Sequence, residues 1–91
     1  MGEAVVCDPM NIETIDEPIR VYAVFAGGEV NPVRFRWGTR ELDVFAINAR
    51  WVDRQVGGCT HHYSVQAGDE TYYLHFASDD LQWWLDQVVV A

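Results

Sequence analysis

The sequence predicts an all-β domain, a small antiparallel and partly open β-barrel of five to six strands. Two hairpins carry most of that expectation. Each has a two-residue turn opening with glycine, Gly38-Thr39 and Gly68-Asp69. Glycine at the first central position is what a type II′ turn requires, and that turn matches the twist of the flanking strands. If Gly38-Thr39 is the turn, Trp37 faces Arg40, Phe35 faces Leu42 and Val33 faces Val44 on an apolar face. Arg36 then faces Glu41 and Arg34 faces Asp43 on the other face. A one-residue slip would scatter both sets, so the pattern fixes the register. In the second hairpin Ala67, Val65, Tyr63 and His61 face Glu70, Tyr72, Leu74 and Phe76. Gln66, Ser64 and His62 face Thr71, Tyr73 and His75 on the polar side.

The remaining elements follow in order. Residues 1–18 read as a mobile acidic tail ending at Pro18, which biases Glu17 toward an extended backbone. A single β domain then occupies 19–91. Ile19, Val21, Ala23 and Phe25 alternate with Arg20, Tyr22 and Val24, the period of a strand. Gly27-Gly28 ends it. The next strand spans about Val30 to Trp37, with Pro32 near its start, where a missing N–H is tolerable. After the first hairpin turn the chain stays extended through Ala46 and Ile47 to Trp51, long enough to bend or bulge and help curl a sheet. Val56-Gly57-Gly58-Cys59 reads as a flexible connection. The last segment supports two readings. Ser78 can cap a helix over 79–90, with Leu81, Trp84, Leu85 and Val88 at helical spacing. Alternatively Ser78-Asp79-Asp80 is a turn and Trp83, Leu85, Gln87 and Val89 line a strand, which Val88-Val89-Val90 favours.

Ninety-one residues make one domain, and 49% hydrophobic residues are too many for a disordered chain. The net charge is −8. All six basic residues are arginines between Arg20 and Arg54, where they outnumber the acids by two; the flanking segments carry acids alone. An acidic surface argues against nonspecific binding to nucleic acid or anionic membrane. Cys7 and Cys59 are too few for a disulfide framework. The N-terminus is acidic where a signal peptide is basic, and no apolar run approaches the roughly 20 residues of a membrane span. Met1-Gly2 opens like a myristoylation site, but Val6 stands where Ser or Thr belongs. A cytoplasmic protein is the expectation.

The spacing Phe35-x-Trp37-x-x-Arg40-x-Leu42-x-Val44, then Trp51, Tyr63-x-Val65-x-Ala67, Leu74 and Trp83-x-Leu85-x-Gln87-Val88 resembles a family of short bacterial β-domain proteins of unknown function. The resemblance covers roughly residues 18–88 and implies a strand for the last segment. It carries over no catalytic residue. Some members of that family accompany DNA-repair polymerases. The chain departs from the family pattern at Gln87, where a basic residue is more usual, and in its acidic tail.

Candidate chemistry is sparse, and the expectation is a non-enzymatic module without cofactor. Cys59, His61, His62 and His75 have the residue types of a zinc site, but the hairpin register puts Cys59 and His61 on one face and His62 and His75 on the other. Ser64 lies near both outer histidines without an acid to orient either ring or a nucleophile elbow around it. Arg20, Arg50 and Arg54 with Trp51 form a local basic strip that can serve an accessory single-stranded nucleic-acid-binding domain. Against it, Arg34 and Arg36 face carboxylates, and Arg40 stacked on Trp37 is an ordinary cation–π contact. The stronger lead is the set Tyr22, Phe45, Ile47, Tyr73 and Trp84, which alternation puts opposite the core. A cluster of aromatics outside a small barrel marks an interface. The expectation is self-association or a protein partner through Tyr22, Phe45, Tyr73 and Trp84. Nucleic-acid binding and a small metal site at His62 and His75 are the alternatives.

Overall fold

A computed structural model describes residues 11–90. Seven strands follow in sequence: β1 (Asn11–Ala26), β2 (Glu29–Trp37), β3 (Arg40–Asp43), β4 (Ala46–Gln55), β5 (Gly58–Ala67), β6 (Glu70–Ala77) and β7 (Gln82–Val90). They form one antiparallel sheet in the order β3-β2-β1-β7-β6-β5-β4, curled into a half-barrel. There are seven strands instead of five to six because the stretch expected to run unbroken from Arg40 to Trp51 divides at Val44-Phe45. The Val44 N–H donates to Val33 O and the next N–H, of Phe45, donates to Gln66 O. One peptide apart, the chain leaves β2 and joins β5.

β1 makes the matching change of partner on the other side. Residues 11–19 pair with β7 and residues 20–26 with β2. Residues 11–18, expected in the acidic tail, are therefore the first half of a strand; residues 1–10 lie outside the described residues. A bulge between Thr14 and Glu17 bends this half, with Asp16 at φ 52°. Aspartate is among the few residues besides glycine that visit that region readily.

Both hairpin registers are those expected, residue for residue, from Trp37↔Arg40 to Arg34↔Asp43 and from Ala67↔Glu70 to His62↔His75 and His61↔Phe76. Gly38 and Gly68 sit at φ 64° and 61°, while Thr39 and Asp69 do not have positive φ, the signature of a type II′ turn. The connection at Val56-Gly57 is itself a tight two-residue turn, since Gln55 pairs with Gly58. The last segment is strand β7, not a helix. Ser78 serves there as a strap. Its hydroxyl accepts from Cys59 N–H at 3.1 Å and donates to Cys59 O at 3.0 Å, tying the β6–β7 turn to β5. Among the described residues no helix is long and apolar enough to cross a membrane.

The core gathers Phe35, Tyr72, Leu74, Leu85, Val65 and Val88, all fully or almost fully buried. Several contacts, the following three among them, hold β1–β3 over the inner face of β4–β6. Phe35 meets Tyr72 edge-on at 5.0 Å. The Tyr63 hydroxyl donates to Val30 O at 2.8 Å. Arg50 Nη2 donates to Asn31 Oδ1 at 2.7 Å.

Bulges account for the positions that strict alternation misplaced. Tyr22 pairs with Arg34 and Ala23 with Pro32, so Val33 is skipped and exposed while Pro32 is buried. In β7, Leu74 faces Leu85 but Tyr73 faces Gln87, making Asp86 the extra residue. The inward series is therefore Trp83, Leu85 and Val88, not Gln87 and Val89. At the β3–β4 corner the phase slips as well, and Ile47, expected outside, packs against the core.

A candidate interaction face

Four ring side chains stand in one row across the outer face of β4, β5, β6 and β7. Trp51 pairs with His62, His62 with His75, and His75 with Trp84. The hairpin registers bring the two histidines together, and the neighbouring strands add one tryptophan on each side. Side chains on adjacent strands stand about 4.7–4.9 Å apart, which suits ring-on-ring stacking. Trp51 and His62 stack with centroids 5.3 Å apart and planes 5° from parallel. His75 and Trp84 stack at 6.0 Å and 7°. The two imidazoles are tilted by 42° at 5.8 Å. On β1, Pro18 lies opposite Trp84 and continues the row.

Each imidazole has its own carboxylate. His62 Nε2 lies 3.0 Å from Asp53 Oδ2, and His75 Nδ1 lies 2.7 Å from Asp86 Oδ1. A carboxylate accepts, so each contact holds the proton on the nitrogen facing it and fixes the ring's rotation. Asp86 reaches His75 because it is the bulge residue of β7; a bulge re-aims a side chain without interrupting the sheet. Beside the row lies a concavity of about 540 Å³ lined by Ile12, Trp51, His62, Tyr73, Asp86 and Gln87. Trp51 is 46% exposed and Ile12 57%.

Of the four residues expected to form an interface, the structure brings Tyr73 and Trp84 to this face. The other two lie elsewhere. Tyr22, exposed on β1, adjoins Val33, Arg34 and Asp43 on the outside of β1–β3. Phe45, 69% exposed, stands at the β3–β4 corner beside Asn31, Pro32 and Val33. Sequence reasoning missed Trp51 as a member of the face and placed it instead in a basic strip. The signal was present: Trp51 precedes the Val56-Gly57 turn by enough residues to fall opposite His62, once that turn is read as tight.

The basic strip does not assemble. Arg50 and Trp51 are consecutive on a strand and point to opposite faces, Arg50 inward over the Tyr63 ring at 5.9 Å and beside Glu29 at 3.7 Å. Arg54 Nη1 donates to Cys59 Sγ at 3.9 Å. Arg20 is on β1, against β2. Arg34 takes both hairpin carboxylates, Asp43 at 2.6 Å and Glu41 at 3.8 Å, where one each for Arg34 and Arg36 was expected. Arg40 interacts with the Tyr72 hydroxyl.

The zinc-like set is likewise split. His61 rests on Phe76 inside the barrel, with centroids 6.0 Å apart, while His62 and His75 are outside. Among the described residues no three His, Cys, Asp or Glu side chains converge on one point. The short contacts of both outer imidazoles go to Asp53 and Asp86, leaving Ser64 out of any relay.

No protein-family model, curated protein or solved structure matches this chain. Nothing in those comparisons bears on the resemblance to short bacterial β-domain proteins, and a functional reading has to rest on the face itself.

Proposed function

We propose that this chain is a non-enzymatic interaction module that self-associates through the outer face of β4–β7. The row of Trp51, His62, His75 and Trp84 carries the reading. Its order is the same from either end, tryptophan outside and histidine inside, with one carboxylate per imidazole. A two-fold axis parallel to the strands, passing between β5 and β6, sets Trp51 of one copy over Trp84 of the other and His62 over His75. Such self-complementarity is what an isologous dimer interface needs. The size is adequate: four strands about 4.8 Å apart and roughly 30 Å long give a face of ~600 Å², near the ~800 Å² per partner of a standard interface. Ile12 and Tyr73 extend it along the sheet.

Native mass spectrometry of untagged, chelator-free protein tests the reading, beside the double variant Trp51→Gln, Trp84→Gln. The expected result is a metal-free dimer for the native protein and a monomer for the variant, with the same circular dichroism spectrum and a melting temperature that depends on concentration only for the native protein. A native protein that stays monomeric at high micromolar concentration overturns self-association. A dimer that survives the double substitution moves the interface away from this face.

A further inference from the structure

A second surface, separate from the ring row, has the makings of a peptide site. Where β1 leaves β7 and joins β2, an open cleft of about 770 Å³ is bordered by Ile19, Arg20, Arg36, Leu81, Gln82 and Trp83. Arg20 and Arg36 are directly opposite one another on β1 and β2. Like charges in that position repel. Among the described residues no carboxylate relieves them. Glu41, opposite Arg36 in the hairpin, approaches Arg34 instead, and the Arg36 Nε–H donates to Gly38 O at 3.3 Å. In a chain with fourteen acidic residues, a cleft lined by two arginines and no acid is an exception.

At Arg20 and Val21 the cleft opens onto the start of an unused strand edge. Residues 20–26 of β1 pair with β2 on one side only, because β7 starts at Gln82 and its pairing with β1 stops at Ile19↔Trp83. Among the described residues no strand covers the opposite edge. A free edge is a template for another extended chain.

We infer that this cleft binds an extended acidic peptide, which adds a strand to the free edge of β1 and sets carboxylates against Arg20 and Arg36. Edge pairing supplies main-chain hydrogen bonds, and side chains at alternate positions supply selectivity. Guanidinium groups suit that second task because they take a carboxylate through two parallel hydrogen bonds. Leu81, exposed at the border of the cleft, offers apolar contact to the intervening residues.

The test uses a fluorescein-labelled peptide of alternating valine and glutamate, titrated by fluorescence anisotropy against the native protein. The comparison proteins are Arg20→Gln, Arg36→Gln, the double variant, and Arg54→Gln as a distant control. Expected is saturable binding that weakens with salt, falls roughly tenfold for each cleft arginine removed, and is unchanged in Arg54→Gln. Hydrogen exchange of the complex should slow at amides within residues 20–26. Absence of binding, or binding indifferent to the two arginines, overturns the proposal. So does binding that leaves the 20–26 amides unprotected, or equal binding of a valine–glutamine peptide. Inorganic phosphate forms a separate arm. If it binds with the same arginine dependence while the peptide does not, the cleft is an oxyanion site and the strand-addition proposal fails.

Discussion

Tyr63→Phe isolates one of the contacts that hold the half-barrel closed. The Tyr63 hydroxyl donates to Val30 O at 2.8 Å, joining β5 to β2 across the interior, and burial pushes the phenol's pKa up from its ordinary value. Phenylalanine keeps the ring and its packing on Trp83, whose centroid lies 5.5 Å away. What is lost is one hydrogen bond, and a carbonyl is left without that donor. A neutral hydrogen bond contributes about 0.5–1.5 kcal/mol net, and an abandoned buried acceptor costs about 1–3 kcal/mol. Val30 is only partly buried, so water recovers some of that cost, and the expected destabilisation is about 1–1.5 kcal/mol. Urea unfolding followed by tryptophan fluorescence measures it. With a slope of ~1–3 kcal/mol per molar for a small domain, the midpoint should fall by roughly 0.3–1.5 M with the slope unchanged. Tyr73→Phe, on the outer face of the same sheet, is the control and should stay within about 0.5 kcal/mol of the native protein. Equal midpoints for Tyr63→Phe and the native protein would refute the claim that this bond closes the barrel.

Other substitutions probe separate parts of the fold. Leu81 sits at φ 56° in the β6–β7 turn and is 75% exposed. Leu81→Gly should raise the thermal midpoint, since a left-handed leucine costs roughly 1–2 kcal/mol and little packing is lost; a lower midpoint would show that the turn is not strained. Gly58→Ala should be destabilising, because an added Cβ would stand 3.2 Å from Asp79 Cβ and the turn that carries the Ser78 strap must shift by a few tenths of an ångström to admit it. Calorimetry on that variant would contradict the strap if its midpoint were unchanged. Burial and a hydrogen bond to Glu70 push the Tyr72 phenol up to about 12. Its folded value lies above the ordinary value near 10, so its contribution to stability is intact below about pH 10 and is lost as pH rises toward 12. Ultraviolet titration should show a late-ionising tyrosine that is missing in Tyr72→Phe. Arg34→Ala, which removes two exposed, solvent-screened ion pairs, should leave the urea midpoint almost unchanged.

The parts of this molecule legible in the sequence are those specified by local rules. Gly38 and Gly68 fixed two turns, and alternation on both arms then left one register for each hairpin. That was enough to place His62 beside His75 and Arg34 opposite Asp43. What escaped were the places where one extra residue changes the phase. Val33, Asp86 and the Val44-Phe45 corner each shift alternation by one, and nothing in their side chains announces it. The cost was concrete: Ile47 was expected outside, and Asp86 was not seen as a partner of His75. The opening strand was missed for a different reason. Residues 11–18 are too acidic to look like a strand alone, and they become one because β7, at the far end of the sequence, offers them an edge. Trp51 was placed with the arginines because proximity in sequence suggested a shared surface, whereas consecutive strand residues face opposite ways.

The pairing of β1 with β7 also sets the order in which the fold can form. The hairpins β1–β2, β2–β3, β4–β5, β5–β6 and β6–β7 join neighbours in sequence and can close as soon as both arms exist. The β1–β7 ladder, with Asn11 opposite Val90, joins the two ends of the described chain and must await every strand between them. Loop closure is the slow step when contacts are distant in sequence. Folding should therefore end with this ladder, as a latch on an array of hairpins already in place. The latch holds Pro18 against Trp84, so the last step of folding also completes the ring row. A chain caught before that step would present β7 as an uncovered edge.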